Sequence, residues 1–224
     1  MIQDLFSMTA KVCLITGGSS GLGSYMAQGF LEAGAERVFI TGRSKDKLLK
    51  KVDELSALGK GQCIGIPGDL SDLEGVQVLA DTISKRESHL DVLVNNAGLG
   101  LGTQIQTMTA EAWDKSMDLN TRSPLFLTQA LLDLLKAKAT LDDPSRIIFI
   151  SSVAASGVLP SVLAYSTSKK ALEHLTPSLA LALTDDFIRV NAIAPGRFYS
   201  EMTRGAWEDP QAESFLAELE RIPA

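Results

Sequence analysis

A tyrosine and a lysine close together in the chain are the residues with the clearest chemical potential. Tyr165 and Lys169 stand at positions i and i+4 of the run Tyr-Ser-Thr-Ser-Lys. In a helix, this spacing puts both side chains on one face, one turn apart. A neighbouring ammonium lowers the pKa of a tyrosine, which can then exchange a proton with an alcohol or a carbonyl near neutral pH. Taken alone, the spacing more often marks an ordinary helix surface.

The composition describes one α/β domain rather than two small ones. The chain has 224 residues, and we predict a single domain over residues 1–224. Hydrophobic residues make up 45 %, which is enough to fill a core. A net charge of −6, with scattered Lys and Arg residues, argues against nucleic acid or an anionic membrane surface as the main partner.

The two cysteines and the N-terminal residues indicate a cellular setting. Cys13 and Cys63 lie in short apolar runs that are typical of strands, so buried free thiols are favoured over a disulfide. Residues 1–11 lack the basic start and long apolar run of a signal peptide, and no apolar stretch reaches the length of a membrane span. These features predict a cytoplasmic, reducing environment and no membrane partner.

A glycine-rich turn between a strand and a helix offers a site for a phosphate. The apolar run Lys11–Thr16 predicts a strand, and Leu22–Ala33 predicts an amphipathic helix. Between them lies Gly17-Gly18-Ser19-Ser20-Gly21-Leu22-Gly23. Backbone N–H groups and the positive end of the helix would face an anion there, and glycine lets the anion approach closely. The alternative is that the glycines only form a tight turn.

The end of the second predicted strand, Arg37–Thr41, indicates which dinucleotide would bind. A carboxylate here would bind the 2′-hydroxyl of the adenosine ribose, but none occurs from Thr41 to Ser44. Arg43 is instead available for a 2′-phosphate, which favours NADP over NAD. The alternative is a solvated arginine at the start of a charged helix over Lys45–Leu58.

Four further apolar runs alternate with helical patterns and predict a parallel, doubly wound sheet of six strands. Each run ends in small or polar residues, which would gather at the carboxyl edge of the sheet, where ligands bind in such folds. Asp69 could accept from an adenine amino group or cap a turn before a helix near Asp72. The runs are Gln62–Ile66 before Asp69 and Leu70, Asp91–Val94 before Asn95–Gly98, Arg146–Ile150 before Ser151 and Ser152, and Phe187–Ile193 before Pro195 and Gly196.

Two polar residues have no clear role from their local pattern. Asn120 falls inside a long helical pattern over about Thr109–Lys138, where asparagine is neutral to unfavourable. It could bend the helix and hold a water, but an exposed polar residue is the favoured interpretation. His89, just before the fourth strand, is expected at the surface rather than in catalysis.

These motifs, in this order, resemble the short-chain dehydrogenase/reductase family over nearly the whole chain. The shared marks are the glycine turn Thr16–Gly23, Asn95–Gly98 after the fourth strand, Ser152 before Tyr165, and Pro195-Gly196 after the sixth strand. Ser152 precedes Tyr165 by 13 positions, which is the family's spacing. The resemblance implies a Rossmann-type sheet in the strand order 3-2-1-4-5-6.

The resemblance also implies a role for each site residue and no metal. The catalytic tetrad would be Asn120, Ser152, Tyr165 and Lys169. Tyr165 would act as general acid in reduction and as base in oxidation, and Lys169 would lower its pKa and bind the nicotinamide ribose. Ser152 would help to stabilise the oxyanion, and Asn120 would hold a water that relays protons. The implied cofactor contacts are Gly17, Ser19, Ser20, Gly21, Leu22, Arg43, Asp69, Leu70, Asn96, Ala97, Gly98, Tyr165, Lys169, Pro195, Gly196 and Ser200.

A finer resemblance is to NADP-dependent 3-oxoacyl-type reductases, including the rhamnolipid-linked group. It rests on Ile193–Thr203 and on an insertion at Leu141–Ser145. Family members continue beyond the region of Arg221–Ala224 into a helix and a seventh strand, so we expect the seventh strand to be absent and strand six to be an exposed edge. The family also implies a homodimer or homotetramer through the helices at 109–138 and 162–184.

Two functions of different classes follow from these observations. The first is an NADP-dependent oxidoreductase that transfers hydride between nicotinamide and a ketone or secondary alcohol, with a 3-oxoacyl thioester as a candidate substrate. The second is an NADP-binding regulatory or scaffold protein without turnover, which the expected absence of a seventh strand suggests. The complete tetrad favours the enzyme, because a protein that only binds a dinucleotide has no need of both Ser152 and Tyr165.

Overall fold

A parallel sheet of six strands forms the centre of the fold. The computed structural model describes residues 6–102, 104–196 and 198. Within them the strands follow the order β3-β2-β1-β4-β5-β6, which confirms the predicted topology. The strands are β1 (Val12–Ile15), β2 (Arg37–Gly42), β3 (Gln62–Pro67), β4 (Val92–Asn95), β5 (Ser145–Ile150) and β6 (Ile188–Ile193).

Three of the helices between the strands begin at a residue whose side chain caps a free N–H group. Ser44, Asp72 and Thr109 each accept a hydrogen bond from the backbone N–H three residues further on. No helix in the described residues is long and apolar enough to cross a membrane. The helices are α1 (Gly21–Glu32), α2 (Lys45–Ser56), α3 (Leu73–Ser84), α4 (Ala110–Met117), α5 (Ser123–Ala130), α6 (Leu132–Lys136) and α7 (Leu163–Ala182).

Two hydrophobic cores cover the two faces of the sheet. Along β1, Val12 and Leu14 belong to one core, whereas Cys13 and Ile15 belong to the other. This alternation follows from the two-residue period of a strand. The first core contains residues of α3, α5, α6 and α7, and the second contains residues of α1 and α2. The sheet is thus buried on both sides, and only its edges and strand ends are left for function.

The long helix predicted over Thr109–Lys138 is broken, and this prediction was wrong. A π-helical turn, Asp118–Arg122, separates α4 from α5, and Leu131 separates α5 from α6. Asn120 lies in the π turn and is fully buried, so the favoured interpretation as an exposed residue was also wrong. Its side chain is turned inward because it binds two other segments of the protein.

His89 is buried rather than exposed, which corrects the expectation from the sequence. Its side chain is only 8 % exposed, and its Nε2 atom lies 3.4 Å from the Oδ2 atom of Asp91. The Lys138 Nζ atom also lies 3.4 Å from the same ring nitrogen. Polar neighbours therefore compensate for burial at Nε2, whereas Nδ1 is buried without a hydrogen-bond partner among the described residues. His89 precedes β4, so it lies at the sheet edge opposite the ends that carry the predicted site.

Both cysteines are buried free thiols, as the sequence predicted. Cys13 lies in β1 and Cys63 in β3, two strands that do not pair with each other. Burial raises the pKa of the Cys63 thiol to about 11 and also raises that of Cys13. Neither thiol is therefore an activated nucleophile at neutral pH.

The expectations for the C-terminal part of the chain lie largely outside the described residues. These expectations concern the cofactor contact at Ser200 and the seventh strand. Among the described residues, β6 is the last strand of the sheet order, and its final residues, 191–193, are exposed.

Candidate active site

The carboxyl ends of the strands border one continuous cleft. All but two of the predicted catalytic and cofactor-binding residues line it. Of the two exceptions, Asn120 is buried next to the cleft without lining it, and Ser200 lies outside the described residues. The predicted residues that line the cleft are Gly17, Ser19, Ser20, Gly21, Leu22, Arg43, Asp69, Leu70, Asn96, Ala97, Gly98, Ser152, Tyr165, Lys169, Pro195 and Gly196.

The glycine turn between β1 and α1 has backbone angles that residues other than glycine adopt only with strain. Gly17 and Gly21 have φ angles of +67° and +55°, in the left-handed region that favours glycine. A Cβ atom on Gly23 would lie 2.4 Å from the carbonyl oxygen of Gly17, so only glycine lets α1 approach the turn this closely. The start of α1 thus faces the cleft with its free N–H groups, which is the geometry of a phosphate site.

The loop after β4 holds this turn in place. The Asn96 side chain donates to the carbonyl oxygens of Thr16 and Gly17, at 2.8 and 3.2 Å. In return, the Thr16 hydroxyl accepts from the backbone N–H groups of Asn96 and Ala97, at 3.0 and 2.9 Å. This reciprocal pairing fixes the two loops that face each other across the sheet ends. Asn96 therefore shapes the predicted phosphate turn through its side chain.

The adenosine end of the cleft combines an exposed arginine with a turn after β3. Arg43 is exposed at the cleft just after β2, where the predicted 2′-phosphate would lie. In the turn after the neighbouring strand β3, Asp69 accepts a hydrogen bond from the backbone N–H of Ser71 at 3.0 Å. Asp69 thus caps its own turn, and Asp72 caps helix α3. The adenine contact predicted for Asp69 stays a prediction.

The opposite end of the cleft brings together a tyrosine, a serine and a lysine. Tyr165 and Lys169 stand one turn apart on α7, as predicted, and Ser152 follows β5. The Ser152 side chain lies within hydrogen-bonding reach of the Tyr165 hydroxyl. The Lys169 ammonium lies 5.8 Å from the centre of the Tyr165 ring and donates to the carbonyl oxygen of Ile150 at 2.7 Å. Two hydroxyls therefore converge beside a buried cation.

Burial changes the pKa of both ionisable groups in this cluster. Burial raises the pKa of Tyr165 above its usual value, and the hydrogen bond with Ser152 opposes this rise. Burial also lowers the pKa of Lys169 to about 8. The sequence predicted that Lys169 would lower the pKa of Tyr165; in the structure the pKa of Tyr165 is raised instead, since desolvation outweighs the other influences. At neutral pH the tyrosine is thus a neutral proton donor.

Asn120 links the catalytic helix, which is α7 with Tyr165 and Lys169, to the loop after β4. Its Nδ2 atom donates to the Leu99 carbonyl oxygen and to the Ser168 hydroxyl, both at 2.9 Å. Its Oδ1 atom accepts from the Leu99 backbone N–H at 2.9 Å. Ser168 in turn donates to the carbonyl oxygen of Tyr165 at 2.7 Å. Both N–H groups of the Asn120 amide are therefore used within the protein, and the predicted water relay at Asn120 stays a prediction.

Several residues that line the cleft were not predicted from the sequence. Most of them stand at the last position of a strand or just after it, so their place in the predicted topology was a usable signal. Leu119 and Phe198 lie elsewhere, and no local pattern pointed to them. The additional lining residues are Thr41, Gly42, Gly68, Leu119, Ile150, Ser151 and Phe198.

Comparisons with known proteins identify the family of this chain. The sequence pattern of the short chain dehydrogenases matches residues 11–211. The rhamnolipids biosynthesis 3-oxoacyl-(acyl-carrier-protein) reductase of Pseudomonas aeruginosa is 44 % identical over 212 residues, which cover 94 % of this chain and 82 % of that protein. The 2-dehydro-3-deoxy-D-gluconate 5-dehydrogenase of Escherichia coli is 32 % identical over 224 residues, 100 % of this chain and 85 % of that protein.

Solved structures show the same relationship. The Pseudomonas aeruginosa RhlG/NADP active-site complex is 43 % identical and matches with a TM-score of 0.88, over 95 % of this chain and 82 % of that chain. A gluconate 5-dehydrogenase from Burkholderia cenocepacia, in complex with NADP and tartrate, is 26 % identical and matches with a TM-score of 0.87, over 97 % and 83 % of the two chains. The family pattern, the relatives and the shared sheet agree, and the chain belongs to the short-chain dehydrogenase/reductase family of NAD(P)-dependent oxidoreductases.

Proposed function

We propose that the protein is an NADP-dependent carbonyl reductase or alcohol dehydrogenase in which Tyr165 is the general acid or base. The observation that carries this proposal is the cluster of Ser152 and Tyr165 hydroxyls beside the buried Lys169, at one end of a cleft that has the geometry of a phosphate site in its middle. A regulatory protein without turnover would need the phosphate site but not this cluster.

The cleft fits a dinucleotide because its parts match the parts of that molecule in order. The N–H groups of Gly17 and Gly18 are bonded to Thr41, and the start of α1 just after them offers free N–H groups for the diphosphate. Gly23 could not carry a side chain without meeting the turn. When bound, NADPH supplies the hydride for reduction of a carbonyl carbon. The Lys169 ammonium, next to Tyr165 on the same helix face, would bind the nicotinamide ribose.

The chain's own residues would manage the proton and the developing charge. The carbonyl oxygen of a bound ketone would accept hydrogen bonds from the Ser152 and Tyr165 hydroxyls, which already lie within reach of each other. Negative charge develops on that oxygen during reduction, and two oriented donors stabilise it. Tyr165 then gives up its hydroxyl proton to the oxygen, and the nearby Lys169 ammonium stabilises the phenolate that is left. In oxidation, the same groups act in reverse.

The substrate class is proposed from the similarity to the Pseudomonas aeruginosa reductase. We propose that 3-oxoacyl thioesters are among the ketones reduced. The test is NADPH oxidation, followed by its absorbance, with a panel of 3-oxoacyl thioesters, sugar-derived ketones and simple ketones. Turnover of at least one ketone, lost on substitution of Tyr165, is the expected result. NADPH binding in calorimetry without turnover of any ketone between about pH 6 and 9 would instead support the regulatory function.

The choice of NADP over NAD is proposed to depend on Arg43. Its exposed guanidinium at the end of β2 would pair with the 2′-phosphate of the adenosine ribose. We expect Arg43→Ala to raise the Kd for NADPH about tenfold and to change the Kd for NADH less than about twofold. Arg86→Ala removes another exposed arginine, beyond the end of α3, and serves as the matched control. Equal changes in the Kd values for NADPH and NADH would show that Arg43 does not bind the 2′-phosphate.

The lowered pKa of Lys169 predicts how kcat/KM for NADPH depends on pH. Its ammonium is present below about pH 8 and is lost as the pH rises through that value. The quantity kcat/KM for NADPH reports the ionisations of the free enzyme, so it should be level near neutral pH and fall above about pH 8. Lys169→Arg keeps its charge throughout this range, and its profile should lack the fall. A wild-type profile that stays level to about pH 10 would contradict this assignment.

The assembly is proposed to be a homodimer or homotetramer through the helices at 109–138 and 162–184. Two aromatic side chains on this part of the surface, Trp113 on α4 and Phe126 on α5, are 38 % and 37 % exposed, and Leu181 at the end of α7 is 81 % exposed. Contact with a second copy would remove this apolar surface from water. We expect light scattering at micromolar concentration to give at least twice the mass of one chain.

The buried free thiols fit the cytoplasmic location that we also propose.

A further inference from the structure

The turn after β3 forms the adenosine side of the cleft, and two neighbouring segments hold its backbone. Asp69 and Leu70 line the cleft, where the proposed function places the adenine ring. The Ser123 hydroxyl, from the first residue of α5, donates to the Leu70 carbonyl oxygen. On the other side, helix α3 lies so close that a Cβ atom on Gly75 would be 1.8 Å from the Asp69 carbonyl oxygen. The position of this turn is therefore set from outside the turn itself.

The segment that carries Ser123 is also bonded to the catalytic helix. Asn120 donates to the Ser168 hydroxyl at 2.9 Å, and the Thr121 hydroxyl donates to the Ser168 carbonyl oxygen at 3.0 Å. Ser168 directly precedes Lys169 and donates to the carbonyl oxygen of Tyr165. The segment from Asn120 to Ser123 thus contacts α7 at one end, through Asn120 and Thr121, and the turn after β3 at its other end, through Ser123.

Burial makes the Ser123 contact important for the position of the turn. Ser123 and Leu70 are 4 % and 6 % exposed, so water has little access to the Leu70 carbonyl oxygen. Removal of the Ser123 hydroxyl would leave this buried acceptor without that donor. A movement of the turn towards water would then be favourable, because water could donate to the Leu70 carbonyl oxygen. Such a movement would displace Asp69 and Leu70 from the cleft, while the bonds of Asn120 and Thr121 to α7 would stay in place.

We propose that Ser123 is a positioning residue that fixes the adenosine-binding turn relative to the catalytic helix. This inference rests on the proposed placement of NADPH along the cleft. Ser123 acts through the Leu70 carbonyl group, so it governs the affinity for the adenosine half of the cofactor. The chemistry at Tyr165 does not depend on it.

The test compares Ser123→Ala with Ser116→Ala. Ser116 is also buried, but the hydrogen bond that its hydroxyl donates, to the Ala112 carbonyl oxygen at 3.0 Å, stays within α4. Each variant is assayed for the Kd of NADPH and for ketone reduction with NADPH and with reduced nicotinamide mononucleotide, which lacks the adenosine half. For Ser123→Ala we expect the Kd of NADPH to rise about tenfold. Its kcat with saturating NADPH and its kcat/KM with the mononucleotide should change less than about threefold. Ser116→Ala should leave the Kd of NADPH and both kinetic quantities unchanged.

The truncated cofactor separates positioning from a general loss of structure. An equal loss with NADPH and with the mononucleotide, or an unchanged Kd for NADPH in Ser123→Ala, would overturn the inference. If Ser123→Ala is not obtained folded, Ser123→Cys fills the same space with a weaker donor and is subject to the same comparison. A wild-type protein that does not bind NADPH at all would instead overturn the proposed function, so the two failures are distinguishable.

Discussion

Replacement of Tyr165 with phenylalanine is expected to lower kcat for ketone reduction by about a thousandfold, which corresponds to about 4 kcal/mol of barrier. The substitution removes only the hydroxyl that would donate the proton and half of the pair that would stabilise the oxyanion. The ring and its place on α7 are kept, so the Kd for NADPH should change less than about threefold. Steady-state kinetics and calorimetry measure the two quantities separately.

Tyr25→Phe is the matched control for this substitution. Tyr25 lies on α1 and is 64 % exposed, so the loss of its hydroxyl should leave kcat unchanged. Ser152→Ala offers a second comparison, because it removes the other donor but leaves the proton of Tyr165 in place. A Tyr165→Phe variant with more than about a tenth of the wild-type kcat would rule out Tyr165 as the proton donor.

Replacement of Asn120 with leucine is expected to reduce the free energy of unfolding by about 3 kcal/mol or more. Leucine has a similar size but removes all three hydrogen bonds of the amide, to Leu99 and Ser168. The Leu99 N–H and carbonyl groups then lose their partner, whereas the Ser168 hydroxyl keeps its bond to the Tyr165 carbonyl oxygen. Each group left unpaired away from water costs about 1–3 kcal/mol. Because Ser168 also contacts the backbone of Tyr165, we expect kcat to fall as well. Urea unfolding and steady-state assays give the two effects.

Asn95→Leu makes the same chemical change at a neighbouring buried site. Asn95 is 2 % exposed and its Nδ2 atom donates to Thr128 at 3.4 Å, a single long hydrogen bond. The expected loss there is about 1 kcal/mol. An Asn120→Leu variant that is no less stable than Asn95→Leu would show that the three bonds of Asn120 do not hold the π turn.

The local pattern of the sequence was sufficient for the sheet and for most of the cleft. A strand buried on both faces appears as a continuous apolar run, and its end is marked by glycine or polar residues, so β1 and the turn at Gly17 were both predictable. Since parallel strands all end at one edge, the residues after them had to meet, and Arg43, Asp69 and Ser152 do line one cleft.

Long-range packing determined what the sequence could not. Asn120 looked like a poor helix residue, and only its bonds to Leu99, about twenty positions earlier, and Ser168, about fifty positions later, explain why it is buried in a π turn. His89 looked exposed because one of its polar neighbours, Lys138, is about fifty positions away, although the other, Asp91, is only two positions later. Such contacts leave no periodic signal in the sequence.

The amino-acid sequence by itself determined which groups could react: a tyrosine and a lysine one helical turn apart, with a serine at the end of the preceding strand. The tertiary structure decided their ionisation. The packing of α7 against β6 and against the turn after β5 removes water from Tyr165 and Lys169, and desolvation disfavours both charged forms. Spacing along the chain sets which side chains share a face, whereas the loss of water depends on everything that packs around them.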